Sequence, residues 1–153
     1  MHEEPEFKPR PGQIDYTHIR RAPVINCIVE YDGKILLLQR SAIMRLYPNF
    51  WSGVSGFLDD DQSLEDKAKE ELREEVGIKE IDIISITHGG VFEEEDEQYG
   101  KTWIVHPVLV KIKTDLLNFD WETQNHAWIK PEEYKSFNVL PNFDRVLRSF
   151  YDI

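Results

Sequence analysis

The densest chemistry in the chain lies in one acidic stretch. Between Asp59 and Glu75 stand nine acids (59, 60, 61, 65, 66, 70, 71, 74 and 75) and three bases (67, 69 and 73), a net −6 in a protein whose whole excess is −11. Within it Glu71, Glu74 and Glu75 are spaced i, i+3 and i+4, so on a helix their carboxylates leave one patch of surface. Leu64, Ala68, Leu72 and Val76 form the apolar stripe of that helix, with Glu71 and Glu75 alongside it and Glu74 one step around. Like charges at this spacing weaken a helix, more so when half-buried, and no lysine within one turn is placed to neutralise all three. A hard divalent cation resolves the crowding, and Mg²⁺ combines a few carboxylates with waters and substrate phosphates. A calcium loop read from Asp59 fails, because Leu64 occupies the position whose sharp turn needs glycine and no helix precedes it.

The elements that must position these acids are marked locally. Ser63 is placed as an N-cap with Asp66 three residues on, and Gly77 falls where a left-handed cap would end the segment, predicting a helix over 64–76. Asp32-Gly33 between the apolar runs 24–31 and 34–39 predicts a hairpin. The Gly/Ser-punctuated run 51–58 reads as a strand whose backbone passes close to something. Further strands are expected over 81–87, 90–92, 103–113 and 126–129, with the acidic run from Glu93 linking two of them as a solvated hairpin tip. Helices are expected from Pro131 and over 143–151. Residues 1–21, with Pro5, Pro9 and Pro11, read as an arm, and 22–153 as a single domain. Strands before, around and after one strong helix imply an α/β fold, a mixed β-sheet with helices on its faces.

Composition narrows the function classes. A chain of 153 residues with 41% hydrophobic content suits one domain with a core of its own. Eighteen bases against 29 acids disfavour a nucleic-acid backbone or an anionic membrane as an electrostatically held partner. One cysteine, Cys27, allows no internal disulfide and no cysteine-rich zinc site, and its strand pattern places it as a buried small hydrophobe. No apolar run is long enough to span a bilayer and the N-terminus lacks signal-peptide character, so a cytoplasmic setting is expected.

The acidic segment and its flanks resemble the Nudix hydrolase box, G-x5-E-x7-R-E-U-x-E-E-x-G-U with U apolar. Here Gly56 opens it, Gln62 and Glu70 occupy the first Glu and the Arg, and Glu71, Leu72, Glu74, Glu75, Gly77 and Ile78 complete it, so seven of nine specified positions match over 23 residues. The hairpin ending LLLQR before it, and Glu122 and Trp128 after it, also suit the family. The resemblance implies an α/β/α sandwich whose catalytic loop-helix-loop hydrolyses a nucleoside diphosphate linked to another moiety. It further implies Mg²⁺ or Mn²⁺ on Glu71, Glu74 and Glu75, with the Ser55 carbonyl as an added ligand. The proton acceptor is then Glu71, a member of the run 93–97, or Glu122, since family members differ in that step.

The two departures concern one interaction. The family's Glu and Arg brace the loop on the helix; here an amide-to-carboxylate hydrogen bond between Gln62 and Glu70 is expected in its place. Arg40 and Arg45 are candidates to grip phosphate oxygens. Gly56 and Trp51 are assigned to substrate binding, and Tyr47, Phe50, Trp103 and Trp121 are further candidates for stacking on a base. The expected partner is a small nucleoside diphosphate derivative, with an RNA 5′ end as the one nucleic-acid exception, acting on a monomer or homodimer. Two alternatives stand beside hydrolysis. One is an isopentenyl-diphosphate isomerase, which would need an active-site cysteine and a metal-binding histidine set; the other is a non-catalytic nucleotide sensor, suggested by the altered box.

Overall fold

A computed structural model describes residue 4 and residues 7–153; the rest of the arm expected over 1–21 lies outside the described residues. Eight strands form one mixed sheet. Strand β1 (Arg21–Tyr31) is its axis, parallel to β7 (Lys101–Ile112) on one side. On its other side it pairs antiparallel with β4 (Val54–Phe57) through its first half and with β2 (Lys34–Arg40) through its end. Strand β2 pairs antiparallel with β8 (Thr123–Ile129) on its outer side and with β3 (Trp51–Ser52) on the side that faces β1. Strand β7 pairs with β6 (Phe92–Asp96) along its start and with β5 (Ile83–His88) along its end. The β1–β2 turn is Asp32-Gly33, both with positive φ (51° and 76°), the geometry that the dipeptide predicts.

Alternation along the strands divides the apolar residues into two cores. Ile25, Cys27 and Val29 of β1, Leu36 and Leu38 of β2, and Val108 and Val110 of β7 bury against Ala68, Leu72 and Val76 of the acidic helix. Their neighbours Ile28, Ile35, Leu37, Val105 and Leu109 point the other way, onto Phe143, Val146 and Leu147 of α2 (Phe143–Arg148) and Tyr134 of the 3-10 turn Pro131–Ser136. Period-two strands with both faces apolar demand a helical layer on each side, and the expected α/β/α arrangement results.

The acidic helix departs from the uniform α-helix that its periodicity predicts. It is α-helical over α1 (Leu64–Glu71) and then widens into a π turn over Leu72–Val76, closed by the Gly77 N–H donating to the Leu72 carbonyl. Ser63 Oγ caps the start by accepting from the Asp66 N–H at 3.1 Å, and Gly77 ends the segment with φ 71°. Periodicity does not register one extra residue in a last turn, and such turns recur at functional sites.

A second departure concerns the run 93–97. It is not a hairpin tip: Glu93 to Asp96 form β6, paired residue for residue with β7. Strand alternation sends Glu93 and Glu95 outward to Arg21 and Arg20, while Asp96 turns inward and is buried. The turn proper begins at Glu97.

Candidate active site

A cavity of about 610 Å³ opens between the acidic helix, the exposed end of β4, the β6–β7 hairpin and the arm. It brings together Arg40, Arg45, Ser55, Gly56, Glu71, Glu74 and Glu122, residues drawn from five separate stretches of chain. Gly56 explains the close passage expected of this strand. It faces α1, and a Cβ there would stand 2.7 Å from the Glu71 carboxyl carbon, so only glycine lets the helix carboxylate seat against β4.

Glu71, Glu74 and Glu122 form an acidic wall, and Glu75, assigned with them as a metal ligand, is buried beside them without lining the cavity. Glu75 is 7% exposed, and its Oε2 has no hydrogen-bond partner among the described residues. Burial first, and then Glu122, Glu71 and Asp120 beside it, push the Glu75 carboxyl well above the ordinary range. Glu71 is pushed up to about 8, by burial foremost, with Lys67 opposing and Glu122, Glu74 and Glu70 adding to the rise. Asp120 rises to about 6, again chiefly through burial. The loop that delivers Asp120 and Glu122 is tied to the helix end: Asn118 N–H donates to the Val76 carbonyl at 2.9 Å and Asp120 N–H to the Glu75 carbonyl at 3.3 Å.

The opposite wall is aromatic and internally satisfied. Asp96 accepts from the Tyr47 hydroxyl at 2.7 Å, the Trp103 indole at 2.9 Å and the Tyr99 N–H at 3.3 Å. Tyr16 of the arm stacks on Phe57, with ring centroids 5.7 Å apart and an interplanar angle of 10°, and Phe57 lies beside Trp103. The arm is pinned rather than loose: the Ile14 N–H donates to the Asp59 carbonyl at 2.7 Å, and the buried Lys101 ammonium donates to carbonyls of Tyr16, Thr17 and Ile19.

Several sequence assignments sort cleanly by position. Tyr47, Trp103 and Trp121 line the cavity. Trp51, assigned to substrate binding, does not; it packs edge-on against Phe137 at 5.0 Å beside the α2-side core, because β3 turns its ring inward. Phe50 is likewise absent from the lining, and its ring stands edge-on to Tyr47 at 5.1 Å. Cys27 is fully buried, and burial, then Glu71 and Glu75, push its thiol up.

The brace across the box takes the form expected of its two departures. Gln62 Nε2 donates to Glu70 Oε2 at 2.6 Å and to Asp60 Oδ2 at 2.8 Å. Sequence reasoning missed three contributors. Asp120 carried a signal in its two-residue spacing from Glu122; Asp96 was hidden inside the run misread as a tip; Lys67 was counted among the bases without a role, yet it is 3% exposed and surrounded by acids.

This donor set fits a hard cation. Among the described residues, no three His, Cys, Asp or Glu side chains are grouped so as to hold a metal ion by themselves. Mg²⁺ does not require one, since it keeps waters and binds through one or two carboxylates together with substrate phosphates. An orphaned buried carboxylate oxygen beside other carboxylates is the residue chemistry such an ion satisfies.

A mixed sheet between helical layers, with a carboxylate-lined loop-helix-loop at one end of a cavity, defines a Nudix-type phosphoanhydride hydrolase. The NUDIX domain matches residues 19–151, and the chain belongs to that family. It is similar to the isopentenyl-diphosphate Delta-isomerase of Halobacterium salinarum, at 26% identity over 86% of this chain and 68% of that protein. It is also similar to the nucleoside triphosphatase NudI of Klebsiella pneumoniae, at 21% identity over 79% of this chain and 90% of that one. Among solved structures it resembles the Escherichia coli ORF135 protein, with a TM-score of 0.66, 26% identity, and coverage of 86% of this chain and 89% of that one.

Proposed function

We propose that the protein hydrolyses a diphosphate linkage in a small nucleoside diphosphate derivative, with Mg²⁺ or Mn²⁺ held by Glu71, Glu74, Glu75 and the Ser55 carbonyl. The observation that carries this reading is Glu75, a buried carboxylate with one oxygen unpartnered, crowded by Glu71, Asp120 and Glu122. When bound, the metal supplies charge neutralisation on the diphosphate and a water of lowered pKa.

The chain's own residues do the rest. Glu71, Glu122 and, of the run 93–97, Glu94 line the cavity and are the candidates to accept the proton of the attacking water; Glu93, Glu95 and Glu97 are engaged by arginines outside and Asp96 already accepts three hydrogen bonds. Arg45, exposed at the rim, and Arg40, its Nε held at 3.0 Å by the Leu46 carbonyl, carry the positive charge that phosphate oxygens require. The aromatic surface of Tyr16, Phe57 and Trp103 offers ring faces to the nucleoside half. A cytoplasmic setting suits a chain with a single, buried thiol.

Two observations weigh on the alternatives. The isomerase reading needs an accessible thiol, and Cys27, the chain's one cysteine, is sealed in the core beneath the helix. The sensor reading rests on the altered box, yet the loop stays braced by Gln62 and Glu70. The test is a panel of ADP-ribose, dinucleoside polyphosphates, NADH, nucleoside triphosphates and RNA 5′ ends, each with Mg²⁺ and with Mn²⁺, beside isopentenyl diphosphate. Metal-dependent cleavage of at least one nucleotide is expected. Isomer formation without phosphoanhydride cleavage would establish the isomerase reading instead.

A further inference from the structure

The Nudix box places an arginine eight residues after its first glutamate, and this chain has Glu70 there, an acid where the helix cation should be. One turn earlier on the same helix stands a lysine that no box pattern specifies. Lys67 Nζ lies 2.9 Å from Asp59 Oδ1, 3.7 Å from Asp60 Oδ2, 3.5 Å from Glu70 Oε2 and 3.9 Å from Glu71 Oε1, and the residue is 3% exposed. Two of these acids belong to the loop, one replaces the arginine, and one is the helix carboxylate seated against Gly56.

We propose that Lys67 is the positioning residue of this site: it takes over the missing arginine's clamp of the loop on the helix and, through the same ammonium, holds Glu71 in place against β4. The inference rests on the hydrolase reading above and adds a residue to it. The geometry accounts for both box departures at once. With the helix cation moved to position 67, an arginine at 70 would set two cations side by side, whereas an acid there adds a partner for Lys67. The loop acid at 62 is dispensable because Asp59 and Asp60 meet the cation instead. Gln62 then serves as the neutral link, donating to both Asp60 and Glu70 and separating two like charges. A lysine suits this role because three donors on a compact ammonium can be shared among several carboxylates, where a planar guanidinium would favour one. Burial also matters: an ammonium removed from water among four acids cannot be replaced by a mobile counterion.

The test uses three variants of the full chain with two readouts, Mn²⁺ affinity without substrate and steady-state kinetics on the best substrate of the panel. Lys67→Met keeps the stem and removes the charge. Its Mn²⁺ affinity and kcat are expected to fall by about 10- to 100-fold, the usual effect of losing a partner that orients a metal ligand, with KM little changed. Gln62→Glu/Lys67→Met/Glu70→Arg rebuilds the family's pair on the charge-stripped helix, and it is expected to recover most of both losses. Lys69→Met removes a neighbouring charge that, among the described residues, pairs with Glu80 alone, and it should match the wild type. Wild-type Mn²⁺ binding and kcat in Lys67→Met would overturn the role of Lys67 alone. So would a folded triple variant, with a wild-type melting temperature, that recovers neither. Should Lys67→Met not fold, the triple variant decides by itself, since its folding and binding require only that a helix cation clamp the loop. A wild type that binds no Mn²⁺ and cleaves nothing overturns the hydrolase reading instead.

Discussion

One wall of the cavity holds a buried acid and the acidic wall has another beside it, and the two are treated in opposite ways. Asp96, on the β6 side, is consumed: a tyrosine hydroxyl, an indole N–H and a backbone N–H all point at it. Glu75, buried beside the acidic wall, is left with an orphaned oxygen and three further carboxylates for neighbours. Burying a carboxylate costs free energy that its hydrogen bonds must offset. On the first wall they do, and the acid is part of the framework. On the second, one oxygen has no partner among the described residues, and a bound cation is the partner proposed for it. Satisfaction, not burial, separates a structural acid from a site acid.

Removing a carboxylate from each wall should therefore have opposite consequences. Glu75→Gln is expected to lower metal-dependent kcat by about three orders of magnitude, the several kcal/mol that metal charge stabilisation contributes. Its metal-free melting temperature should hold or rise, because repulsion with Glu122 and Glu71 is relieved; a lost fold with retained turnover would reverse the assignment. Asp96→Ala should instead destabilise by roughly 3 kcal/mol, since three donors lose their acceptor. Urea unfolding reads this effect, and Mn²⁺ affinity should be unchanged. Trp51→Ala, at a ring outside the cavity lining, should cost about 2 kcal/mol of stability, below the range for a fully buried aromatic, with KM unaltered.

The acid wall also has a pH signature. Glu71 has a folded pKa raised to about 8 from an ordinary 4.5, so between those values the folded metal-free protein holds a proton that the unfolded chain has lost. This contribution to stability is complete below the unfolded value and disappears as pH rises through 8. Thermal melts of metal-free protein should thus decline across that interval, and saturating Mn²⁺ should abolish the decline. The smallest effect concerns Trp121, 39% exposed at the cavity rim: Trp121→Ala should raise KM a few-fold, about the worth of one stacking contact, with no change in melting temperature.

What was legible in the sequence was local. Ser63, Gly77 and Asp32-Gly33 act on their own neighbours, and the elements that they bound are present. The i, i+3, i+4 acids were visible because helix geometry is periodic. Properties set by distant chain were not. Asp96 is an inward strand residue only because β7 lies beside it, and composition made its run resemble a turn. Lys67 drew no assignment because the loop acids that bury it fold back from 59 and 60, and only the 59–62 bend brings them together. The π turn leaves no trace in a pattern read at 3.6 residues per turn. Trp51 went astray for the same reason, since a two-residue strand offers too little alternation to show which way its ring faces.

The central claim, that the unsatisfied acids await a cation, is tested most directly by anomalous diffraction from crystals soaked in Mn²⁺ with a non-hydrolysable diphosphate. The account predicts a manganese peak within about 2.0–2.3 Å of carboxylate oxygens of Glu71, Glu74 or Glu75, bridged to the diphosphate. Bound diphosphate with no manganese at those oxygens, and Glu75 Oε2 still without a partner, would contradict it.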